Sequence, residues 1–297
     1  MKVQFMKKLA KFFSSIVSGV FSIIPWSFNI FFAKVFAFLW VDVFSIRKKI
    51  VHANLDIVFK NLTPEQKNQL MKKSLIALAR SFFDVMRIPS LTSEWIDQSV
   101  ILHGAEKIKK EQGYLFLSLH LGSGDLGAAV VSHKLKPLSL ISKRFKNQFL
   151  DQFWFSLRTK SQTEFIDAHA KNNAFEILKA LKNKRGVVFV LDQFMGKPYG
   201  IASTFFGRTT GTAYGLSLFA QKTKAPVVPL YTYWDNQQKL NIVFGDVIQI
   251  EDLIDDSIDQ NLVNQRITNR FNSVLESIIC QHPDQWMWVH RRWKDFE

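Results

Sequence analysis

Polar and apolar positions divide the chain into two regimes. From Met1 to Ile46 the residues are predominantly apolar. Lys2, Lys7, Lys8 and Lys11 make a basic opening, an apolar run follows from Phe12 to Ile24, and Pro25 interrupts it. Trp26 to Val43 resumes the apolar character with Lys34 and Asp42 as its only charges. A spanning helix needs roughly 20 apolar residues, and neither half is clean at that length. Pro25 breaks or kinks whatever helix forms. No small-residue cleavage site follows the apolar core, so this is not read as a removable signal. Three membrane arrangements fit: one kinked spanning helix, a shallow helical hairpin, or an interfacial helix with snorkelling lysines. The alternative without a membrane is a core hairpin of a soluble protein.

The following residues read as helices. Arg47-Lys-Lys starts an amphipathic segment through Ile50, Val51, Leu55, Val58 and Phe59, at three- and four-residue spacing. Thr63-Pro64-Glu65 is a helix start, an N-cap followed by proline at the first helical position. That helix is expected to reach about Arg87 and stop before Pro89. From about Ser99 short apolar runs alternate with helical patterns. Strands are predicted at Val100 to Leu102, Tyr114 to Leu119, Pro137 to Ser142, Glu164 to Ile166, Val187 to Leu191, Pro226 to Trp234 and Leu240 to Phe244. Helices are predicted over 106–111, from Leu126 to about Val131, and over 146–159, 174–182 and 259–279. A glycine-rich loop is predicted from Gly196 to Gly211, with Gly211-Thr212 opening a further helix to about Lys222. This alternation predicts an α/β sheet with helices on both faces. The expected divisions are a membrane-anchoring segment (1–46), a helical connector (47–90) and an α/β domain (91–297).

Composition narrows the partners. The 297 residues carry a formal net charge of +14, so a polyanion is expected: nucleic acid, anionic lipid or an acidic carrier protein. The single cysteine, Cys280, excludes an internal disulfide framework and a zinc site built from several cysteines.

The candidate chemistry lies in Tyr114-Leu-Phe-Leu-Ser-Leu-His120-Leu-Gly-Ser-Gly-Asp125-Leu-Gly127. A histidine at the carboxyl end of a strand, beside a helix start, faces the open crevice of an α/β sheet. His120 is therefore the candidate general base, and Asp125, in the first turn of the helix, is expected to fold back onto the ring. With no serine in the arrangement, the nucleophile would be the substrate's own hydroxyl. The pattern alone is weak, because His290 and Asp295 repeat the spacing in the basic tail. Gly122 to Gly127 also matches the dinucleotide fingerprint G-x-G-x-x-G, with Lys143-Arg144 about 20 residues on, where an NADP site wants a cation. Asp192-Gln193 ends a second buried strand and is expected in the same crevice, with Arg144 at a third strand end. Phe205-Phe-Gly-Arg208-Thr-Thr-Gly-Thr212 would hold an acyl chain or a phosphate, or form a plain hairpin.

Together these motifs resemble the bacterial lipid A late acyltransferases, relatives of the lysophospholipid acyltransferases. The resemblance runs through Arg47 to Asn54-Leu, His120 to Asp125, Asp192-Gln193, Phe205 to Thr212, and Ala225-Pro-Val-Val-Pro229. It ends in His282-Pro-Asp-Gln-Trp-Met-Trp-Val-His290-Arg-Arg-Trp293. It implies a glycerolipid acyltransferase-like mixed α/β sheet flanked by helices, with His120 as base and Asp125 as its partner. It also implies Arg144, Asp192, Gln193, Phe205, Arg208 and Thr212 as substrate-binding residues. The expected donor is an acyl carrier protein or acyl-CoA, and the expected acceptor a glycolipid or lysolipid. The basic charge is then for an anionic membrane surface, the cytoplasmic side of the inner membrane, rather than for nucleic acid. No metal or other cofactor is expected. The family's lipid A branch commonly has glutamate where this chain has Asp125, as the glycerolipid branch does, which leaves the acceptor open between the two.

Overall fold

The computed structural model describes residues 2–296. Met1 and Glu297, the outermost residues of the expected divisions, lie outside them.

The chain begins with two helices, α1 (Lys2–Ile23) and α2 (Ser27–Phe38), the second extended by a π-turn at Leu39–Val43. Pro25 sits between them, where its missing N–H and ring prevent a continuous helix. The pair Met6–Ile23 and Ser27–Val43 is bent by 113°, and among the described residues no single helix is long and apolar enough to cross a membrane. α3 (Lys48–Val58) and α4 (Pro64–Val85) follow. α4 starts as the sequence predicts. Thr63 Oγ1 accepts from the Gln66 amide and Gln66 Oε1 accepts from the Thr63 amide, a reciprocal capping box, with Pro64 at the first helical position. A short helix, α5 (Ser93–Ser99), leads into the sheet.

The remaining elements are β1 (Val100–His103), β2 (Tyr114–Ser118), α6 (Gly124–Lys134), β3 (Leu138–Ser142), α7 (Gln148–Arg158), β4 (Glu164–Asp167), α8 (Asn173–Lys182) and β5 (Gly186–Val190). They are followed by β6 (Gly200–Phe205), β7 (Arg208–Ala213), α9 (Gly215–Thr223), β8 (Val227–Trp234), β9 (Leu240–Phe244) and α10 (Gln260–Gln281). Seven strands form one mixed sheet in the order β1-β9-β8-β2-β5-β3-β4. β8, β2, β5, β3 and β4 are parallel; β9 pairs antiparallel with β8 and parallel with β1. The architecture is α/β, a mixed sheet flanked by helices.

β2 lies between β8 and β5 and every one of its residues is buried. Its side chains alternate between two cores, as strand geometry requires. Leu115 and Leu117 join Ile177 of α8, Leu216 of α9 and Ile267 of α10 on one face. Phe116 joins Leu126 and Val130 of α6 and Leu157 of α7 on the other.

Three local expectations are corrected. Residues 106–111 do not make a helix: only a 3-10 turn forms at Ala105–Lys107, and the Lys109 amide then donates to Tyr114 Oη. The glycine-rich loop at 196–211 is largely a two-stranded antiparallel hairpin of β6 and β7. Its threonines favour extended backbone, so Thr212 belongs to β7, and the helix opens at Gly215 instead.

The turn after β2 requires a glycine. Gly122, in the turn after β2, has φ +56°, and a Cβ there would stand 2.5 Å from the Thr232 carbonyl oxygen. Gly124, two residues on, has open space around it. Gly122→Ala is therefore expected to lose at least about 1–2 kcal/mol, the left-handed backbone cost alone, while Gly124→Ala is neutral or slightly stabilising. Denaturant titration of both variants in detergent checks this, and equal midpoints would refute the constraint.

Candidate active site

Parallel pairing places two functional groups side by side. Ser118 of β2 is in register with Val190 of β5. Two residues further along each chain are His120 and Asp192, at the carboxyl edge where an α/β sheet opens its crevice. His120 Nδ1 is 2.8 Å from Asp192 Oδ1, and the His120 amide donates to Asp192 Oδ2 at 2.9 Å. Trp286 Nε1 gives Oδ2 a further donor at 2.7 Å. The carboxylate is 1% exposed while the imidazole is 41% exposed. With Nδ1–H donated to Asp192, Nε2 carries the lone pair. The Gln193 amide nitrogen lies 3.3 Å from it.

Burial lowers the imidazole pKa, but the charge and hydrogen bond of Asp192 outweigh that and leave it above the ordinary value. Asp125 adds to the rise and Arg158 opposes it. Burial likewise raises Asp192, and the His120 charge with three donors more than reverses this, leaving it below the usual carboxylate range. The two shifts agree in describing a charge-stabilised pair.

Asp125 is not the partner of the ring, which corrects the expected geometry. Its Oδ1 accepts from Arg158 Nε at 2.8 Å and Nη2 at 2.5 Å. The first turn of α6 directs this side chain toward the end of α7, and Asp192 already fills Nδ1. Arg158 is itself buried, its guanidinium 4.1 Å from the Phe165 ring centroid. Asp192, expected as a head-group contact, instead sits beneath the histidine.

Arg144 lies after β3 at the same sheet edge, but its guanidinium is turned onto α7: Nη2 is 2.5 Å from Asp151 Oδ2, and Cζ stacks 3.9 Å from the Phe155 ring. Phe205 and Thr212 are buried beneath the C-terminal tail, not displayed in the crevice. Phe205 packs on Trp286 and Trp293. Thr212 Oγ1 accepts from Arg292 Nη2 at 2.6 Å. Arg208 is exposed in the hairpin, paired across it with Phe205.

The tail itself closes the site. Met287 N–H donates to the His120 carbonyl, Gly122 N–H to the Gln285 carbonyl, and Leu121 bridges Trp286. Asn54 Nδ2 holds the Trp288 and His290 carbonyls and Arg47 holds that of Val289, so α3 fixes the strap from outside. His290, the second histidine of the repeated spacing, accepts the Phe194 N–H at Nε2. Burial lowers its pKa to about 4, with the nearby positive groups adding to the effect and Asp192 opposing it. Arg158, Trp286 and His290 thus belong to the site's surroundings. Only the aromatic C-terminal block carried a signal for any of them in sequence.

Among the described residues no group of three or more His, Cys, Asp or Glu side chains is placed to hold a metal. A cavity of about 350 Å³ opens at the other end of the sheet, by Tyr114, Pro226 and Gly245, away from this chemistry.

The family described as bacterial lipid A biosynthesis acyltransferase matches residues 2–295. The lipid A biosynthesis palmitoleoyltransferase of Escherichia coli K12 is 22% identical over 84% of this chain and 79% of its own length. The lauroyltransferase of the same organism shows the same identity and coverage. A lipid A biosynthesis acyltransferase of Haemophilus influenzae is 20% identical over 80% and 72%. Among solved structures, the 1-acyl-sn-glycerophosphate acyltransferase PlsC of Thermotoga maritima aligns over 86% of this chain and 97% of its own, with a TM-score of 0.38 and 12% identity.

The pair makes a prediction about pH. A raised histidine contributes stability below its free value of about 6.5 and loses it as pH rises through the folded value. A depressed aspartate contributes above its free value of about 3.9 and loses it as pH falls. The pair's contribution is therefore complete between those two values. Asp192→Asn should lower the His120 midpoint in histidine NMR and lose more stability at about pH 5 than at about pH 9. An unmoved midpoint would show that Asp192 does not hold the imidazolium.

Proposed function

The chain belongs to the bacterial lipid A biosynthesis acyltransferase family and is an acyltransferase, and from that premise we propose that it moves a fatty acyl chain from acyl carrier protein to a hydroxyl of a lipid A precursor, with His120 as general base. The observation that carries the base assignment is the contact of His120 Nδ1 with the buried Asp192 carboxylate, which as an acceptor calls for the proton on Nδ1. Nδ1–H is committed to Asp192, and Nε2 is left as an acceptor on a ring open to solvent.

In this mechanism His120 Nε2 takes the proton as the acceptor oxygen attacks the thioester carbonyl carbon. Asp192 stabilises the imidazolium that forms. Backbone N–H groups in the first turn of α6 meet the oxyanion, since no side chain caps that helix. Collapse of the tetrahedral intermediate breaks the C–S bond, and the departing sulfur takes the proton back from His120. The products are the new ester and the free carrier thiol. The Asp125–Arg158 pair lies along this path as a fixed electrostatic neighbour of the base. Arg144, Gln193 and Arg208 remain candidates for donor or acceptor contacts.

We further propose that residues 1–46 hold the enzyme on the cytoplasmic face of the inner membrane. The inside-out character of α1 and α2 supports this over a core hairpin. Their buried positions are small or polar and four apart: Ala10, Ser14 and Ser18, then Asn29, Ala33 and Ala37. Phe12, Ile23, Phe31 and Phe38 point outward and are all more than half exposed, while Phe21 and Phe32 pack on Phe83 of α4. A helix that turns small residues inward and large apolar ones outward is matched to lipid, not water. Exposed Lys7, Lys8 and Lys11 at one end suit anionic head groups.

Asp125 in place of glutamate favours one second reading, transfer to a lysophospholipid. Mass spectrometry of lipid A and total lipids decides, in cells with the gene, without it, and with His120→Ala. Lipid A short of one acyl chain in both altered strains is the expected result; accumulation of a lysolipid with lipid A unchanged moves the acceptor to the second reading. In the purified enzyme, His120→Ala is expected to lose at least about 100-fold in transfer while remaining folded. Near-normal turnover would remove the base assignment.

A further inference from the structure

The turn after His120 ends in a serine that does not serve its own helix. Ser123 is the N-cap of α6, a position where a serine hydroxyl ordinarily accepts from a first-turn amide. Here it makes no such bond. It donates to Asp84 Oδ2 at 2.6 Å and accepts from Trp234 Nε1 at 2.8 Å. Both Ser123 and Asp84 are buried, Asp84 completely.

Asp84 is tied in the other direction to the start of the chain. Its Oδ1 accepts from Asn29 Nδ2 at 2.7 Å, and Asn29 Oδ1 accepts from Arg87 Nε at 2.9 Å. Arg87 then donates to the carbonyls of Phe21, Ile24 and Pro25 at 2.6, 2.7 and 2.9 Å. These carbonyls lie at the end of α1, where a helix leaves its last acceptors without partners. Arg80, one turn back on α4, stands 3.8 Å from Asp84 and 3.4 Å over the Trp234 ring. A buried carboxylate is stable only when its lone pairs are filled, and every partner here is fixed in turn.

We propose that Asp84 is a positioning residue for acyl transfer, acting through Ser123. By holding the hydroxyl away from α6, it keeps the first-turn amides uncapped and fixes the turn that carries His120. The relay through Asn29 and Arg87 makes that turn and the bend of α1 and α2 one mechanical unit. The proposal rests on the acyltransferase reading above.

The test uses the whole chain in detergent micelles, with lauroyl-acyl carrier protein as donor and an under-acylated lipid A precursor as acceptor. Ser123→Ala removes one hydroxyl and leaves Asp84 its Asn29 donor, and circular dichroism checks that the variant is folded. It is expected to lower kcat by about 10- to 100-fold, the scale on which a misplacement of about 1 Å acts, with KM for both substrates unchanged. Asp84→Asn should fall in the same direction, and the double variant should be no worse than the poorer single one, because the two act as one unit. A kcat at the wild-type level in Ser123→Ala, a change in KM alone, or additive losses would overturn the proposal. A second readout needs no turnover: modification of His120 by diethyl pyrocarbonate, followed by peptide mass spectrometry, should change in rate in Ser123→Ala. If the wild-type enzyme transfers nothing to the lipid A precursor, the functional reading fails on its own, and an unchanged modification rate then refutes the positioning role.

Discussion

A carboxylate removed from water must have its lone pairs filled, and Asp192 meets that requirement with the His120 ring, the His120 amide and the Trp286 indole. Each donor comes from a different structural commitment. The first two need β2 beside β5 in one register. The third needs the C-terminal strap to be laid over the turn after β2. The strap in turn needs α3, whose Asn54 and the adjoining Arg47 bind its carbonyls. Sheet order, tail and connector helix are thereby joined through one buried oxygen pair.

The same turn is gripped from its other side by a second buried carboxylate, Asp84, on α4. These fixtures matter because the His120 ring that the turn carries is exposed. A surface imidazole on a mobile loop would not keep one tautomer directed at a substrate. Gly122 permits the sharp chain reversal and packs against the Thr232 backbone, and Thr232 Oγ1 donates to the Leu121 carbonyl. Rigidity comes from these polar fixtures together with the buried Leu121, Trp234 and Trp286 side chains.

Much of this was legible in the residues. The strand and helix alternation follows hydrophobic periodicity, and the start of α4 follows from Thr63-Pro64. His120 stands out because a buried strand ends at it. What failed was non-local. Asp125 was the apparent partner because it is near in sequence. Asp192 is the partner because β5 returns to pair with β2, after the chain has built β3 and β4 to one side. No local pattern announces that return. Arg158 ends α7 with nothing around it in sequence to mark its role. The hairpin of β6 and β7 was hidden by its glycines, which suggested a loop, while its threonines and the Asn272 and Arg292 side chains make it a strand pair.

The strap is joined to α3 on one side and to the turn after β2 on the other. Until the tail has been made, Asp192 lacks its indole donor, Gly122 and the His120 carbonyl lack their partners, and the turn is held on one side alone. The outward-facing phenylalanines of α1 and α2, by contrast, precede the whole sheet in the chain. Synthesis therefore has a built-in order: α1 and α2 are made well before the strap, and the turn after β2 gains its second hold only once the strap has followed.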